Sequence, residues 1–428
     1  MDIHIVIAGE TIESIAEKYG VSAKKIILDN GVNDLDKLVP GQTIVIIYPQ
    51  IIYIVQDGDT LQNIADTNGI SMIQLLRNNP FLTERDYIYP GETLVISYNN
   101  TMGKVSTCGF AYPYINRKTL LKTLPYLTYL SIFNYTVTKE GELITNYDDT
   151  ELIQISKDYG VAPLMLITTL TPKGEPNIET TYDILSNEEL QEQYINTVID
   201  LIKSKGYYGA NLSFQYLNIT NQNQYTSLLK KVSEKAHSEG IPLFITINPN
   251  KAYVGNELVY EKVDFSAINQ EANSIAFITF NWAYNFGPPI PIGSIQDIKD
   301  LIDYVANFVV PEKILVGLPV LGYNWELPYV VGFSKATALS LDSVINLARD
   351  IGAVIEFDEL SQTPYIRYAE PPLGIQHIIW FIDARSVNSL MNLVSSNRLQ
   401  GTGIWNVMEY YSQMWLVINS QYEIENVL

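Results

Sequence analysis

Asn211, Ser213 and Gln215 alternate along one extended stretch, Gly206-Tyr207-Tyr208-Gly209-Ala210-Asn211-Leu212-Ser213-Phe214-Gln215-Tyr216. Successive side chains of a strand point to opposite faces, so these three share a face. Two amides and a hydroxyl hold no carboxylic acid, and an amide neither gives nor takes a proton near neutral pH. With Asn281 they make a neutral donor–acceptor set suited to hydroxyls and acetamides. Trp405, Trp282, Tyr284, Tyr323 and Trp325 would add flat aromatic faces, which can hold an apolar ligand surface without any acid. The plainer alternatives stay open: the polar residues could satisfy one another inside a core, and the tryptophans could be ordinary packing.

Other chemistries lack their residues. His4, His237 and His377 are far apart, and no Cys/His cluster or Gly-rich phosphate loop exists, so neither metal nor cofactor is expected. Cys108 is the one cysteine, which rules out an internal disulfide and reads as a small buried residue. Asp and Glu number 47 against 27 Lys and Arg, a net charge of −20. That balance excludes a basic nucleic-acid-binding face and docking on an anionic bilayer. A content of 47% hydrophobic and 17% charged residues excludes a disordered chain. No run reaches the ~18 apolar residues of a membrane span. Met1 to Ile5 lacks a basic n-region, so no cleavable signal is expected and synthesis is read as cytoplasmic.

The elements that must position the polar set follow from the apolar runs. Candidate strands are 106–112, 127–134, 163–169, 209–215, 242–248, 275–281, 314–321 and 401–407. Helical patterns lie between most of them, at about 118–124, 148–159, 187–205, 221–239, 295–309 and 385–398. Near-continuous apolar strands alternating with helices predict an α/β fold, a (β/α)8 TIM barrel. The stretch of about 323–380 exceeds one βα unit. It reads as a small α+β insertion with a helix at 340–350 and strand-like runs at 353–357, 365–368 and 377–381.

The first hundred residues hold a repeat with a period of about 50. Val6-Ile7-Ala8-Gly9-Glu10-Thr11-Ile12 is echoed by Val55-Gln56-Asp57-Gly58-Asp59-Thr60-Leu61, and Pro40-Gly41-Gln42-Thr43 by Pro90-Gly91-Glu92-Thr93. Each copy reads strand, helix, helix, strand, with Thr11 or Thr60 as the first helix's cap. The pair resembles the LysM domain, a βααβ module that binds N-acetylglucosamine polymers such as peptidoglycan and chitin. The resemblance covers 1–48 and 51–98. It places glycan on Gly9, Glu10, Thr11, Ile12, Asn30 and Gly31 in one copy. In the other it implies Gly58, Asp59, Thr60, Leu61, Asn79 and Pro80. Asn99-Asn100-Thr101 reads as a short linker to a barrel at 101–428.

The stretch around Asn211 resembles the signature of glycoside hydrolase family 18, an Asp-Gly pair followed by alternating acids ending in Glu. Lys313 to Pro319, Trp380 to Ser386 and Gly403 to Asn406 support the likeness, which is strongest to two-LysM N-acetylglucosaminidases that degrade spore cortex. The departures are concentrated at the chemistry. Tyr208 stands for the first Asp, Ser213 for the Asp beside the catalytic acid, and Gln215 for the catalytic Glu. Asn211 occupies an inner position, while Phe280 and Asn281 replace a Tyr and an Asp on strand six. In this family the substrate's own acetamide attacks the anomeric carbon, outside the two-carboxylate scheme. The Glu must protonate the leaving oxygen and later deprotonate water, and losing such a group costs about 10²–10⁴ in rate. What the resemblance leaves intact is binding: Trp405 as an aromatic floor, with Gln215, Asn281, Trp282, Tyr323 and Trp325 around it.

The expectation is a binding protein for peptidoglycan or another N-acetylglucosamine glycan in the spore or cell envelope, with a catalytically silent barrel. Two alternatives stand beside it. One is an active N-acetylglucosaminidase using a displaced acid such as Glu271 or Asp383. The other is a scaffold that binds envelope or spore-coat proteins.

Overall fold

The computed structural model describes the chain apart from residues 33–36, 86, 100, 139, 146, 171–176, 215–216, 255–256, 280–286 and 373. Eight parallel strands lie near the runs expected for them. They are β1 (Lys104–Ala111), β2 (Tyr129–Val137), β3 (Ala162–Thr168), β4 (Gly209–Ser213), β5 (Leu243–Ile247), β6 (Ser274–Phe277), β7 (Ile314–Pro319) and β8 (Gly401–Trp405). β1 pairs with both β8 and β2, which closes the ring and leaves it without an edge. Closure is tight at Gly401, where a Cβ would stand 1.8 Å from the Ser106 carbonyl oxygen.

The helix before β4 shows how local sequence delivers the polar strand. Glu188–Lys205 buries Tyr194, Ile195, Val198, Ile199 and Ile202, a stripe at helical spacing. Asn187 caps its start by accepting from the Glu189 and Leu190 amides, and Gly206 ends it at φ 78°. The chain then enters β4, which is buried at every position. Helices Arg117–Thr123, Thr150–Asp158, Gln222–Ser238, Ile295–Val305 and Ala384–Ser396 also stand close to their expected places. Ile178–Ser186, Ser266–Glu271 and Ser412–Gln421 are additional.

The insertion between β7 and β8 is more regular than its sequence suggests. It is a five-stranded antiparallel sheet of Gly322–Leu327, Thr337–Leu339, Glu356–Asp358, Thr363–Glu370 and Ile375–Trp380, with helix Leu341–Ile351. The first two of these strands were not expected.

Each N-terminal module has the βααβ layout. The first is Asp2–Ile5, Ile12–Tyr19, Ala23–Asn30 and Thr43–Ile46; the second is Ile51–Ile54, Leu61–Thr67, Met72–Asn78 and Thr93–Ser97. Each has a small apolar core of its own, around Ile15 and Ile64 respectively. Val39, Val45 and Ile47 of the first and Val95 and Tyr98 at the end of the second join the barrel's core instead. Both modules are therefore docked, not strung on a tether.

The first module is clamped by Gln413, whose amide donates to the Thr43 carbonyl (2.6 Å) and accepts from the Thr43 hydroxyl (2.7 Å). The Ile355 amide donates to the Pro40 carbonyl at 2.9 Å. A Cβ on Gly41 would come within 1.9 Å of the Ile355 carbonyl oxygen, so this approach needs glycine. In the second module Arg77 is buried and its guanidinium donates to the Pro125 and Ile424 carbonyls. Burial lowers its pKa to about 10, which still leaves it charged at neutral pH. The Tyr126 hydroxyl donates to the Arg77 carbonyl (2.6 Å), and Asn419 donates to Asn78 (2.9 Å).

Candidate functional site

The barrel mouth is formed by the C-terminal ends of the strands, where this architecture places its ligands. Trp405 ends β8 and is 4% exposed. Its ring lies 5.6 Å from Phe110, 6.1 Å from Phe133 and 6.3 Å from Tyr112, centroid to centroid. The aromatic wall continues outward: Tyr112 stacks on Tyr114 at 5.2 Å and 18°, and Tyr114 meets Tyr147 at 5.1 Å. Tyr114 and Tyr147 are at least half exposed, so the wall runs from the interior to solvent. Burial, with a smaller contribution from Tyr114, pushes the Tyr112 hydroxyl up to about 12, so it stays a neutral donor.

Inside the ring, Asn211 is 1% exposed and fully engaged. Its amide donates to the Ser131 hydroxyl at 2.9 Å and accepts from Thr246 at 2.8 Å, linking β4 to β2 and β5. Ser213 is buried, and its carbonyl accepts from the Thr168 hydroxyl at 2.9 Å. Tyr208 lies elsewhere. It precedes β4, five residues below Ser213 or roughly 16 Å along the strand. Its ring packs 6.4 Å from Tyr129, at the end of the barrel opposite the mouth. Gln215, Phe280, Asn281, Trp282 and Tyr284 fall outside the described residues.

Trp325, expected as a sugar platform, is also a brace, and Trp380 joins it. Trp325 is 5% exposed and its indole donates to the Gly287 carbonyl at 3.0 Å. Trp380 does the same to Pro289 at 3.2 Å. Together they pin the Gly287–Pro291 stretch, and their polar tips are spent on it. Tyr323 packs on Trp325 at 5.6 Å and is 7% exposed; burial pushes its hydroxyl up to about 12.

In the modules the two repeats spend matching residues on matching tasks. Glu10 accepts from the Ile7 amide and pairs with His4 at 2.8 Å; Asp59 accepts from the Gln56 amide and the Tyr53 hydroxyl. Thr11 and Thr60 cap the first helix of each copy. Gly9 and Gly58 sit at φ 90° and 84°, a left-handed turn that favours glycine. Asn30 and Asn79, expected against sugar, are buried latches: Asn30 bonds Val45, and Asn79 bonds Val95, through both amide atoms. Ile12 belongs to the first module's core, and Leu61 packs against the second's. Pro80 opens a short turn whose Leu82 amide bonds the Asn79 carbonyl. Gly31 ends its helix at φ 67° and abuts Ser412 of the barrel. The exposed groups in the first copy's opening loop are therefore Gly9 and Thr11.

Of the alternative acids, Asp383 is occupied and Glu271 stands away from the mouth. Both Asp383 oxygens are engaged, by Arg385 and by the Arg385 and Ser386 amides at the start of helix Ala384–Ser396. Glu271 ends the helix Ser266–Glu271, which leads into the N-terminal end of β6. Cys108 is buried and burial pushes its thiol up to about 12. Among the described residues no group of three His, Cys, Asp or Glu could hold a metal. Ser131, Thr246, Phe133, Tyr112, Tyr114 and Tyr147 were missed in the sequence. Strand alternation brings Ser131 inward, but only register identifies Thr246 as its neighbour.

A closed parallel barrel with an antiparallel insertion after its seventh strand, carrying two βααβ modules, defines a modular carbohydrate-enzyme architecture. The chain belongs to family 18 of the glycosyl hydrolases, whose model matches residues 173–409, more than half its length. The LysM domain model matches residues 4–46 and 53–97. The crystal structure of the spore cortex-lytic enzyme SleL of Bacillus megaterium QM B1551 is similar at TM-score 0.80 and 27% identity, covering 100% of this chain and 99% of that one. The cortical fragment-lytic enzyme of Bacillus anthracis is 26% identical over 425 residues, 97% of each chain. That of Bacillus subtilis (strain 168) is 28% identical over 300 residues, 70% of this chain and 69% of its own.

Proposed function

We propose that this protein binds N-acetylglucosamine-containing glycan, peptidoglycan in the first place, in a spore or cell envelope, and that its barrel holds sugar without cutting it. Binding is supported by the two LysM modules and by the aromatic wall that ends at Trp405. The observation that carries the silence of the barrel is β4. Its inward positions bear Asn211 and Ser213, with Gln215 next in the series, and the Asn211 amide is already closed between Ser131 and Thr246. The sequence positions matched to the family's acids, Tyr208, Ser213, Gln215 and Asn281, carry no carboxylate to pass a proton to a leaving oxygen in the family's scheme. Asp383 is tied to Arg385, so it offers no substitute. The envelope location rests on the relatives named for spore cortex. No helix among the described residues is long and apolar enough to cross a membrane. The units that do this are taken as 1–48, 51–98 and 101–428, with the insertion at about 323–380.

A second reading, an active cell-wall glycosidase, is favoured by the relatives' names, which describe lytic enzymes. One experiment separates the two. The native chain and the Ser213→Asp, Gln215→Glu double variant are incubated with spore cortex peptidoglycan and with chitooligosaccharides, and reducing ends are counted. The binding reading expects pull-down of peptidoglycan with no new reducing ends from the native chain. Native turnover abolished by Gln215→Ala would overturn it.

A further inference from the structure

A cavity of about 310 Å³ lies where the first LysM module meets the barrel. Gly31 and Val32 form one wall, and the start of helix Leu341–Ile351 with Phe381 forms another. The module's opening loop, Gly9 to Thr11, contributes nothing to it. Several polar groups around it are committed to the fold. Asn30 holds Val45, Asp383 holds Arg385, and Gln413 holds Thr43.

Two groups on the helix are not committed in this way. Asp342 makes no hydrogen bond to any described residue, and burial raises its carboxyl pKa. Asn346 follows four residues later, hence on the same helix face. Its oxygen accepts from Arg349 at 2.8 Å, and its two amide N–H groups make no bond to a described residue. Ile345, Phe381 and Val32 add apolar side chains to the lining. Asp342 and Asn346 are exposed, so the cavity offers an acceptor and a donor pair at its rim and Ile345 as part of an apolar floor.

That combination fits a sugar ring. A pyranose brings hydroxyl donors for a carboxylate, ring and hydroxyl oxygens for an amide, and a C–H face for Ile345 and Phe381. The volume stands at the low end of the ~300–1,000 Å³ range of ligand pockets, room for a ring rather than a long chain. A metal would need more oxygen ligands than Asp342 alone supplies.

We propose that this junction is a saccharide subsite shared by the first LysM module and the barrel insertion, taking one N-acetylhexosamine unit of a bound glycan. The proposal rests on the carbohydrate-binding reading above. It assigns the insertion helix a direct part in recognition and makes the first module's site composite.

The test uses the full chain and tetra-N-acetylchitotetraose. Crystals are soaked with the tetramer, and its affinity is measured by calorimetry for the native chain and for two variants. In Asp342→Ala with Asn346→Ala, side chains at the start of a solvent-facing helix are cut back without disturbing the core. In Ile345→Trp the cavity is filled. The expected result is a sugar ring against Asp342 in the native crystal, affinity lowered about tenfold in the double variant, and an empty cavity in Ile345→Trp. A tetramer seated only on the Gly9 loop or in the barrel mouth, with unchanged affinity in the double variant, overturns the subsite and leaves the binding reading standing. No tetramer binding by the native chain overturns both.

Discussion

Asp149 accepts four side-chain hydrogen bonds, and removing it tests how the start of helix Thr150–Asp158 is tied to the barrel strands. Its carboxylate is fully buried. It accepts from Tyr207 at 2.6 Å, Tyr135 at 2.7 Å, Lys205 at 2.7 Å and Asn134 at 3.0 Å. Burial alone would raise its pKa, but the bonds from Lys205, Tyr207, Asn134 and Tyr135 outweigh it and hold the carboxyl below its ordinary value. Asp149→Ala leaves two phenols and an amide without their acceptor. Breaking a buried pair from one side costs about 3–5 kcal/mol. Lys205 is 27% exposed and can turn to water, which favours the lower figure, about 3 kcal/mol. For a chain of this size that corresponds to a fall in Tm of about 3 °C, by calorimetry at neutral pH. The pH dependence has a fixed sign. A depressed folded pKa stabilises above the ordinary carboxylate range and loses that contribution as pH falls through the folded value. The variant and the parent therefore converge in Tm under strongly acidic conditions. A difference at neutral pH below about 1 kcal/mol, a value typical of exposed pairs, would refute the reasoning, as would a gap that widens on acidification.

Trp405→Ala removes the end of the aromatic wall; binding of chitooligosaccharides by the full chain should weaken about tenfold, read by calorimetry, on the scale of a lost aromatic contact. Gln413→Ala cuts both bonds to Thr43, each worth about 1 kcal/mol, and should expose the 43–50 region to limited proteolysis before the barrel is cleaved. Arg77→Met should cost less than Arg77→Ala in urea midpoint, because an apolar side chain of similar length refills the space while the carbonyls of Pro125 and Ile424 lose their donor in both. Cys108 should resist thiol reagents in the folded chain at mildly alkaline pH and react on unfolding, since its thiol is pushed up to about 12.

The barrel was legible because parallel strands buried on both faces leave apolar runs of unmistakable length, and β3 or β7 could be placed within a residue or two. The LysM repeat was legible because Gly9 and Gly58, with Pro40-Gly41 and Pro90-Gly91, mark turns that few residues allow. Helix Ser412–Gln421 was not. It is buried from Gln413 to Asn419, nearly all the way round, so it has no polar stripe for periodicity to find. Arg77 and Gln413 carry no local signal of their role; contacts distant in sequence, 370 positions away for Gln413 and Thr43, make them clamps. At the site, alternation identified Asn211 and Ser213 as inward. Alternation sets Tyr208 out of phase with them, and it could not tell that Tyr208 lies at the far end or that Trp325 spends its indole on Gly287. The latching of Val45 and Val95 by Asn30 and Asn79 was hidden for a related reason: a loop asparagine beside a glycan groove and one that latches a strand look alike in sequence.

Helix Ser412–Gln421 has the first module against its start, through Thr43 and Gly31, and the second against its later turns, through Asn78. One rod thus sets the spacing of both readers. Flexibly joined readers find whatever two points a polymer presents, and their gain depends on the average reach of the joint. Readers bolted to a common rod gain nothing from a polymer whose repeat falls out of phase with them, and gain fully from one in phase. On the glycan-binding reading proposed above, a pair held this way answers to the spacing of sugars along a strand as well as to their identity.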